Sequence, residues 1–509
     1  MTTAQIFMMV SIGMYLLMML AIGYICSKQN NNADDFYLGG RKLGPFVTAM
    51  SAEASDMSSW LLMGLPGVAY LSGICDAGWT AIGLAVGTYL NWLFVAKRIR
   101  RYSHIAGNAI TIPDFFSNRY RDESRLLMLF SALVILIFFI PYTASGFAAC
   151  GKLFASLFGV SYGPAMIISA IIIVGYTTMG GFLAASTTDF IQSIVMTIAL
   201  LIVLIFGVHV AGGVEQVADN VLKLPGYLSM TSTYDGVSQA AKPYGIMAIF
   251  STFAWGLGYC GMPHILLRFM AIEDEEKLTL SRRIATVWVV ITLIVGVMIG
   301  VIGYGMTQAG AMEQLIGADS ETIVVRTADL LSRYGAVPAL IAGVILAGIL
   351  ASTMSTADSQ LLAAASSVSQ NIFRGVMKAE ISEKRAMVIA RGTVLVISLI
   401  AMFIARNPDS SVFAIVSFAW AGFGAAFGPV MLFSLFWKRS NRNGALAGMI
   451  TGGAVVFIWK YLVRPIGGIW DMYELLPAFL AASAVIIAVS LATEAPSDEI
   501  VKEFEKVNG

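Results

Sequence analysis

Thirteen apolar runs of about 20 residues, the length that crosses the hydrocarbon core of a bilayer, recur along this chain. They lie near 5–27, 44–72, 77–96, 126–150, 162–180, 188–211, 244–266, 286–308, 334–370, 388–405, 411–437, 443–462 and 474–492. The gaps between them leave no room for a sizeable soluble core. With 58% of 509 residues hydrophobic and 12% charged, the composition lies far outside the range of soluble domains. The expected fold is an all-α polytopic membrane protein with about 13 transmembrane helices.

Lysine and arginine concentrate on the cytoplasmic side of membrane proteins. If the chain changes sides at every run, 24 of its 32 Lys and Arg fall in the loops that begin after the first span, among them Lys28, the group Lys97 to Arg125 and the group Arg268 to Arg283. The N-terminus is then expected outside and the C-terminus in the cytoplasm. The first run has no basic segment before it and no small-residue cleavage site, so it reads as a retained helix. Four scattered cysteines and three scattered histidines form no disulfide framework or metal-ligand spacing. The largest outside connection, 212–243, has room for a short helix. The charged tail after Thr493 is too small for a catalytic or signalling domain, which argues against an enzyme and against a substrate sensor.

Two runs are interrupted. Ser51 to Gly67, SAEASDMSSWLLMGLPG, puts Glu53 and Asp56 at membrane depth, where a carboxylate is costly and marks an ion or substrate path by default. Five runs later, Phe253 to Phe269, FAWGLGYCGMPHILLRF, gathers Gly256, Gly258, Gly261 and Pro263 at midspan. Interruptions at matching positions in two halves point to a binding site between inverted repeats. The expected division is 1–43 (a peripheral helix and loop), 44–243 (spans 2 to 6 and an outside loop), 244–442 (spans 7 to 11), 443–493 (two peripheral helices) and 494–509 (the tail).

Four polar groupings lie at membrane depth. Around Ala54, Asp56, Met57, Ser58 and Trp60, an unwound helix would free carbonyls for a hard monovalent cation and N–H groups for a carboxylate; the lesser alternative, compatible with this, is that Asp56 merely caps the second half-helix. Ser352, Ser355, Thr356 and Ser359 share roughly one helical face, and their hydroxyls suit sodium or bond back to carbonyls one turn earlier. Asp358 beside them is a weaker candidate for an ion-release group. Trp60, Tyr142, Trp255 and Tyr259, with Pro141 loosening the helix at Tyr142, could enclose a small cyclic amino acid, although aromatics also serve packing and interfacial belts. In Gly180 to Ser193, Asp189 is read as opening the sixth span, either as a structural cap or as a cytoplasmic sodium-exit group.

These residues resemble those of the sodium/solute symporters, and within them the bacterial members that carry proline. The likeness runs almost end to end, through DDFYLGGRKLGPFVTAMSAEASDMSSWLLMGLPG, WGLGYCGMPHILLRFMA, ASTMSTADSQLL and FAWAGFGAAFGPVMLFSLFWKRSNRNGALAGMI. It implies a LeuT-like core of five plus five helices, an outside N-terminus and residence in the bacterial cytoplasmic membrane. It also implies a sodium site at Ala54, Met57, Ser352, Ser355 and Thr356, with Asp56 and Asp189 in sodium coupling. L-Proline would contact Ser58, Trp60, Tyr142, Trp255, Tyr259 and Pro263. Ser352 and Glu53 stand where some relatives have alanine and glycine. The expected activity is import of L-proline with Na+ by alternating access, with betaine, pantothenate or a related carboxylate as the alternative cargo. No cofactor beyond the coupling ion, no nucleic acid and no obligate protein partner is expected.

Overall fold

The computed structural model describes residues 2–27, 33–178 and 181–508; Lys28 and Gly180, named above, lie outside them. Among the described residues, ten helices are long and apolar enough to cross a membrane, and the pair Ile246–Gly261 and Pro263–Ala271, bent by 47°, is so when taken together. The other two expected spans are helical as well. The fifth is the shorter helix Tyr162–Thr177. The second is cut into Pro45–Ser59, Trp60–Gly64 and Leu65–Ser72, because its polar residues lower its hydropathy and its backbone breaks.

The second span sits at the centre, packed by the sixth (Phe182–Val210), the eighth (Leu278–Gln308), the ninth (Ala336–Ser366) and the second half of the seventh, Pro263–Ala271. The eleventh (Val412–Phe436) lies along the middle of the seventh. The fifth, tenth and thirteenth helices lie outside this group and turn apolar side chains outward, such as Ile171, Phe403 and Leu491, the surface that acyl chains would cover.

Three features depart from the expectation. The connection 212–243 holds the short helix Val214–Leu222 and also an antiparallel hairpin, Ser232–Asp235 with Ala240–Pro243, so the chain is not wholly helical. The fourth span, Leu126–Phe158, runs unbroken through Pro141. Arg268, grouped above with the loop cations, lies inside the helix Pro263–Ala271 and is 1% exposed. On the face where the third span (Ile74–Ile105) ends, the tail helix Asp498–Asn508 docks through Arg101 to the Val507 carbonyl (3.1 Å), Arg121 to Glu503 (2.6 Å) and the Phe504 ring against Tyr102.

Candidate functional site

Gly44 and Pro45 start the second span in the usual way, with an extended N-cap residue and proline in the first turn. The helix fails at Ser58, whose φ of 31° and ψ of −173° are sparsely populated for a residue with a side chain. The Ser58 hydroxyl accepts the backbone N–H of Trp60 at 3.1 Å and so steadies the kink. A wide turn, Trp60–Gly64, follows before the regular helix resumes; such turns recur at functional sites.

The break brings main-chain oxygens to the ninth and fourth spans. The Ser355 hydroxyl donates to the Ala54 carbonyl at 2.8 Å, and the Tyr142 hydroxyl to the Asp56 carbonyl at 3.1 Å. The Met57 carbonyl takes the N–H of Trp60. Ser352 and Thr356 instead donate along their own helix, to Ile349 at 2.8 Å and Ser352 at 3.1 Å. A hydroxyl that gives its proton away keeps two lone pairs, so this back-bonding orients both oxygens without using what a cation would bind. The two alternatives read from the sequence are therefore compatible.

Opposite this break, the seventh span winds tightly from Ala254 to Gly261 and bends at Met262, and Pro263 heads its second half, Pro263–Ala271. The tight segment is held against its neighbours by glycine. A Cβ on Gly256 would lie 2.2 Å from the Gly83 carbonyl oxygen, and one on Gly258 would lie 2.0 Å from Trp420 Nε1. Tyr259 donates its hydroxyl to Asp56 Oδ2 at 2.7 Å, joining the two breaks. Trp60, Trp255 and Phe413 form a mutual aromatic layer with centroids 5.4 to 5.9 Å apart, and Tyr473 stacks on Trp255 at 5.1 Å. Trp420 donates to the Trp255 carbonyl at 2.8 Å and fixes that residue's backbone. The indole Nε1 of Trp60 is buried and has no hydrogen-bond partner among the described residues. Above the layer, a cavity of about 430 Å³ reaches from Asp76, Tyr244 and Arg464 down to Trp255 and Phe413.

Asp189 does not open the sixth span. The helix begins at Phe182, which puts Asp189 two turns inside and rules out the capping role. It lies against Arg268 at 3.0 Å and accepts the Ser51 hydroxyl at 2.7 Å. Arg268 also donates to Ser51 (3.0 Å), Ser359 (2.6 Å) and the His264 carbonyl (2.8 Å). One guanidinium therefore ties the second, sixth, seventh and ninth spans together. Asp358 accepts the Thr177 hydroxyl at 2.5 Å. Glu53 accepts the Trp92 indole N–H at 2.7 Å, so this acid ties the second span to the third.

The sequence reading missed Arg268, Phe413, Trp420 and Tyr473. Arg268 follows an apolar run directly and is indistinguishable there from a cation at a membrane edge. The aromatics of the eleventh span belong to a run without a break, and only their meeting with Trp255 marks them.

A family model, the sodium:solute symporter family, matches residues 36–452. A sodium/proline symporter of Salmonella typhimurium (strain LT2) is 41% identical over 502 residues, 98% of this chain and 96% of its own length. PutP, a high-affinity proline transporter of Bacillus subtilis (strain 168), is 42% identical over 488 residues, 96% of this chain and 98% of its own. Among solved structures, a Na+-coupled sialic acid symporter in a substrate-bound outward-open state matches with a TM-score of 0.78 at 18% identity, covering 96% of this chain and 99% of that one. At that identity the likeness concerns the fold, which is the LeuT-like one expected from the sequence.

Proposed function

This chain belongs to the sodium:solute symporter family, and from that premise we propose that it imports L-proline together with Na+ by alternating access. The relatives that match almost end to end carry proline in their names. The observation that carries the reading is the pair of facing helix breaks joined by the Tyr259–Asp56 hydrogen bond.

In this reading the Ala54 and Met57 carbonyls and the oxygens of Ser352, Ser355 and Thr356 hold Na+, a hard cation served by hard oxygen ligands. Sodium then pins the second span to the ninth. Asp56 and Asp189 couple the ion to conformation, the latter through Arg268. Proline packs its ring against Trp60, Trp255 and Tyr142, with Ser58, Tyr259 and Pro263 completing the pocket. Its carboxylate takes the unpartnered Trp60 indole N–H, and its ammonium faces the Asp56 side chain. Each ligand raises the affinity of the other, because both draw the broken spans onto the same partners.

The same reading assigns residues 44–243 and 244–442 to the two inverted repeats, counts thirteen crossings, and puts the N-terminus outside and the C-terminus in the cytoplasm of a bacterial inner membrane. The excess of Lys and Arg on one set of loops supports that orientation. The driving force is adequate. A potential of 100 mV supplies about 2.3 kcal/mol per charge and a tenfold sodium gradient about 1.4 kcal/mol. Together they sustain roughly a few-hundred-fold proline gradient at one-to-one coupling.

The deciding experiment is radiolabelled L-proline uptake into vesicles holding the purified protein, with inward Na+ and K+ gradients compared at matched potential. Accumulation with Na+ alone is expected. A folded protein that accumulates no proline under either gradient overturns the cargo, and competition with betaine and pantothenate then identifies the replacement.

A further inference from the structure

An apolar groove of about 550 Å³ runs along the outer surface between the third, seventh, eleventh and thirteenth spans. Its fifteen lining residues include no charged side chain. On the third span it follows one helical face, through Gly83, Gly87, Leu90 and Phe94, and Leu90 and Phe94 are 43% and 52% exposed. Its wall on the seventh span is Phe253, Gly256 and Leu257. An occupant would thus lie against the back of the tight segment whose other residues, Trp255 and Tyr259, meet the site.

A cation stands past one end of the groove. Arg98 stands one turn beyond Phe94, and Phe436 one turn beyond Leu432, the groove's residue on the eleventh span. The guanidinium lies 4.1 Å from the centre of the Phe436 ring and donates one N–H to the Leu435 carbonyl at 3.3 Å. Lys97 and Arg101, near it on the same helix, each pair with an acid, Glu276 at 2.7 Å and Glu275 at 2.8 Å. Arg98 pairs with none among the described residues. Four of its five N–H donors remain for an anion at the membrane edge. In the orientation proposed above, that edge is the cytoplasmic leaflet, where anionic lipids attract basic side chains.

We propose that this groove is a binding site for an anionic phospholipid of the cytoplasmic leaflet, its phosphate on Arg98 and an acyl chain along Leu90 and Phe94 against the seventh span. Arginine suits the phosphate because its planar fork gives two parallel hydrogen bonds. The proposal rests on the proposed orientation but not on the cargo, and its readout involves no transport.

The test uses the full chain in nanodiscs of equal parts phosphatidylcholine and phosphatidylglycerol, with native mass spectrometry reading the lipids retained after release. The parent should retain phosphatidylglycerol over phosphatidylcholine by about fivefold, the preference that one basic residue near an anionic surface provides. Arg98→Gln should erase that preference, Arg98→Lys should keep most of it, and Leu90→Trp, which fills the groove, should reduce retention of both lipids. Each variant is scored only at an unchanged melting temperature, and Arg98→Met, which should likewise erase the preference, carries the comparison if Arg98→Gln fails to fold. An equal ratio in the parent, an unaltered ratio in Arg98→Gln, or full retention in Leu90→Trp overturns the proposal. So does a dimer that Leu90→Trp dissociates, which would give the groove to a second copy of the chain.

Discussion

Arg268 and Asp189 form an ion pair of 3.0 Å between the seventh and sixth spans, with side chains 1% and 0% exposed. Removing one member of such a pair strands the other's charge, at about 3–5 kcal/mol, whereas replacing both with neutral groups costs far less. Arg268→Ala should therefore lower the melting temperature sharply, and Asp189→Asn with Arg268→Gln should recover most of the loss. A double variant as unstable as the two single losses added together would show that charge pairing is not what Arg268 supplies.

Ser355 is the one hydroxyl of the proposed sodium set that reaches the second span. Ser355→Ala should raise the sodium concentration that half-saturates proline binding by about tenfold, the equivalent of one hydrogen bond of 1–1.5 kcal/mol. Ser352→Ala, whose hydroxyl stays on its own helix, should have a smaller effect. Binding of labelled proline against a sodium titration measures both, and an unchanged midpoint in Ser355→Ala removes it from the site.

Tyr259→Phe deletes the hydroxyl that joins the two helix breaks and leaves the Asp56 carboxylate short of a donor. A buried acceptor without its partner costs about 1–3 kcal/mol, so proline affinity should fall roughly tenfold or more. Trp255→Ala should weaken proline similarly. Scintillation proximity binding at saturating sodium is the measurement, and parental affinity in both variants would move the pocket elsewhere.

Gly256→Ala should fold poorly, because the new methyl would meet the Gly83 carbonyl oxygen at 2.2 Å and neither backbone can retreat. Gly453→Ala has nothing within 4 Å and should melt with the parent. Thermal unfolding in detergent compares them, and equal melting temperatures for all three proteins would mean that the third and seventh spans are less tightly joined than their backbones indicate.

Burial raises the Asp114 carboxyl to about 6, against the donors Thr111 and Asn371 that pull it down. The folded protein then holds the proton more tightly than the unfolded chain does. The associated stability is complete below pH 4 and is lost as pH rises through 6. Asp114→Asn should match the parent near pH 4 and exceed it in melting temperature at pH 7 and above. A difference that does not grow between those values would rule out this titration.

Both breaks were legible in the chain, since acids, glycine and proline inside an apolar run work against a continuous lipid-facing helix. The site was partly legible for the same reason: Asp56, Tyr142 and Tyr259 do meet. Asp189 was misread because hydropathy marks where a run becomes apolar, near 188, whereas the helix starts at Phe182 under residues too polar to count. Arg268 was invisible because burial of an arginine depends on Asp189, Ser51 and Ser359, which come from other helices. The hairpin Ser232–Asp235 with Ala240–Pro243 carries too few residues to show a period.

The cavity beside Asp76 and Arg464 ends on Trp255 and Phe413, so one sheet of rings lies between it and the proposed proline pocket. If proline binds as proposed, a molecule with a proline-like head and a rigid aromatic tail would straddle that sheet, its head below and its tail between Arg464 and Tyr473 above. In the orientation proposed above, such a wedge would jam the carrier from outside the cell without having to cross the membrane, which makes this cavity a foothold for inhibitor chemistry.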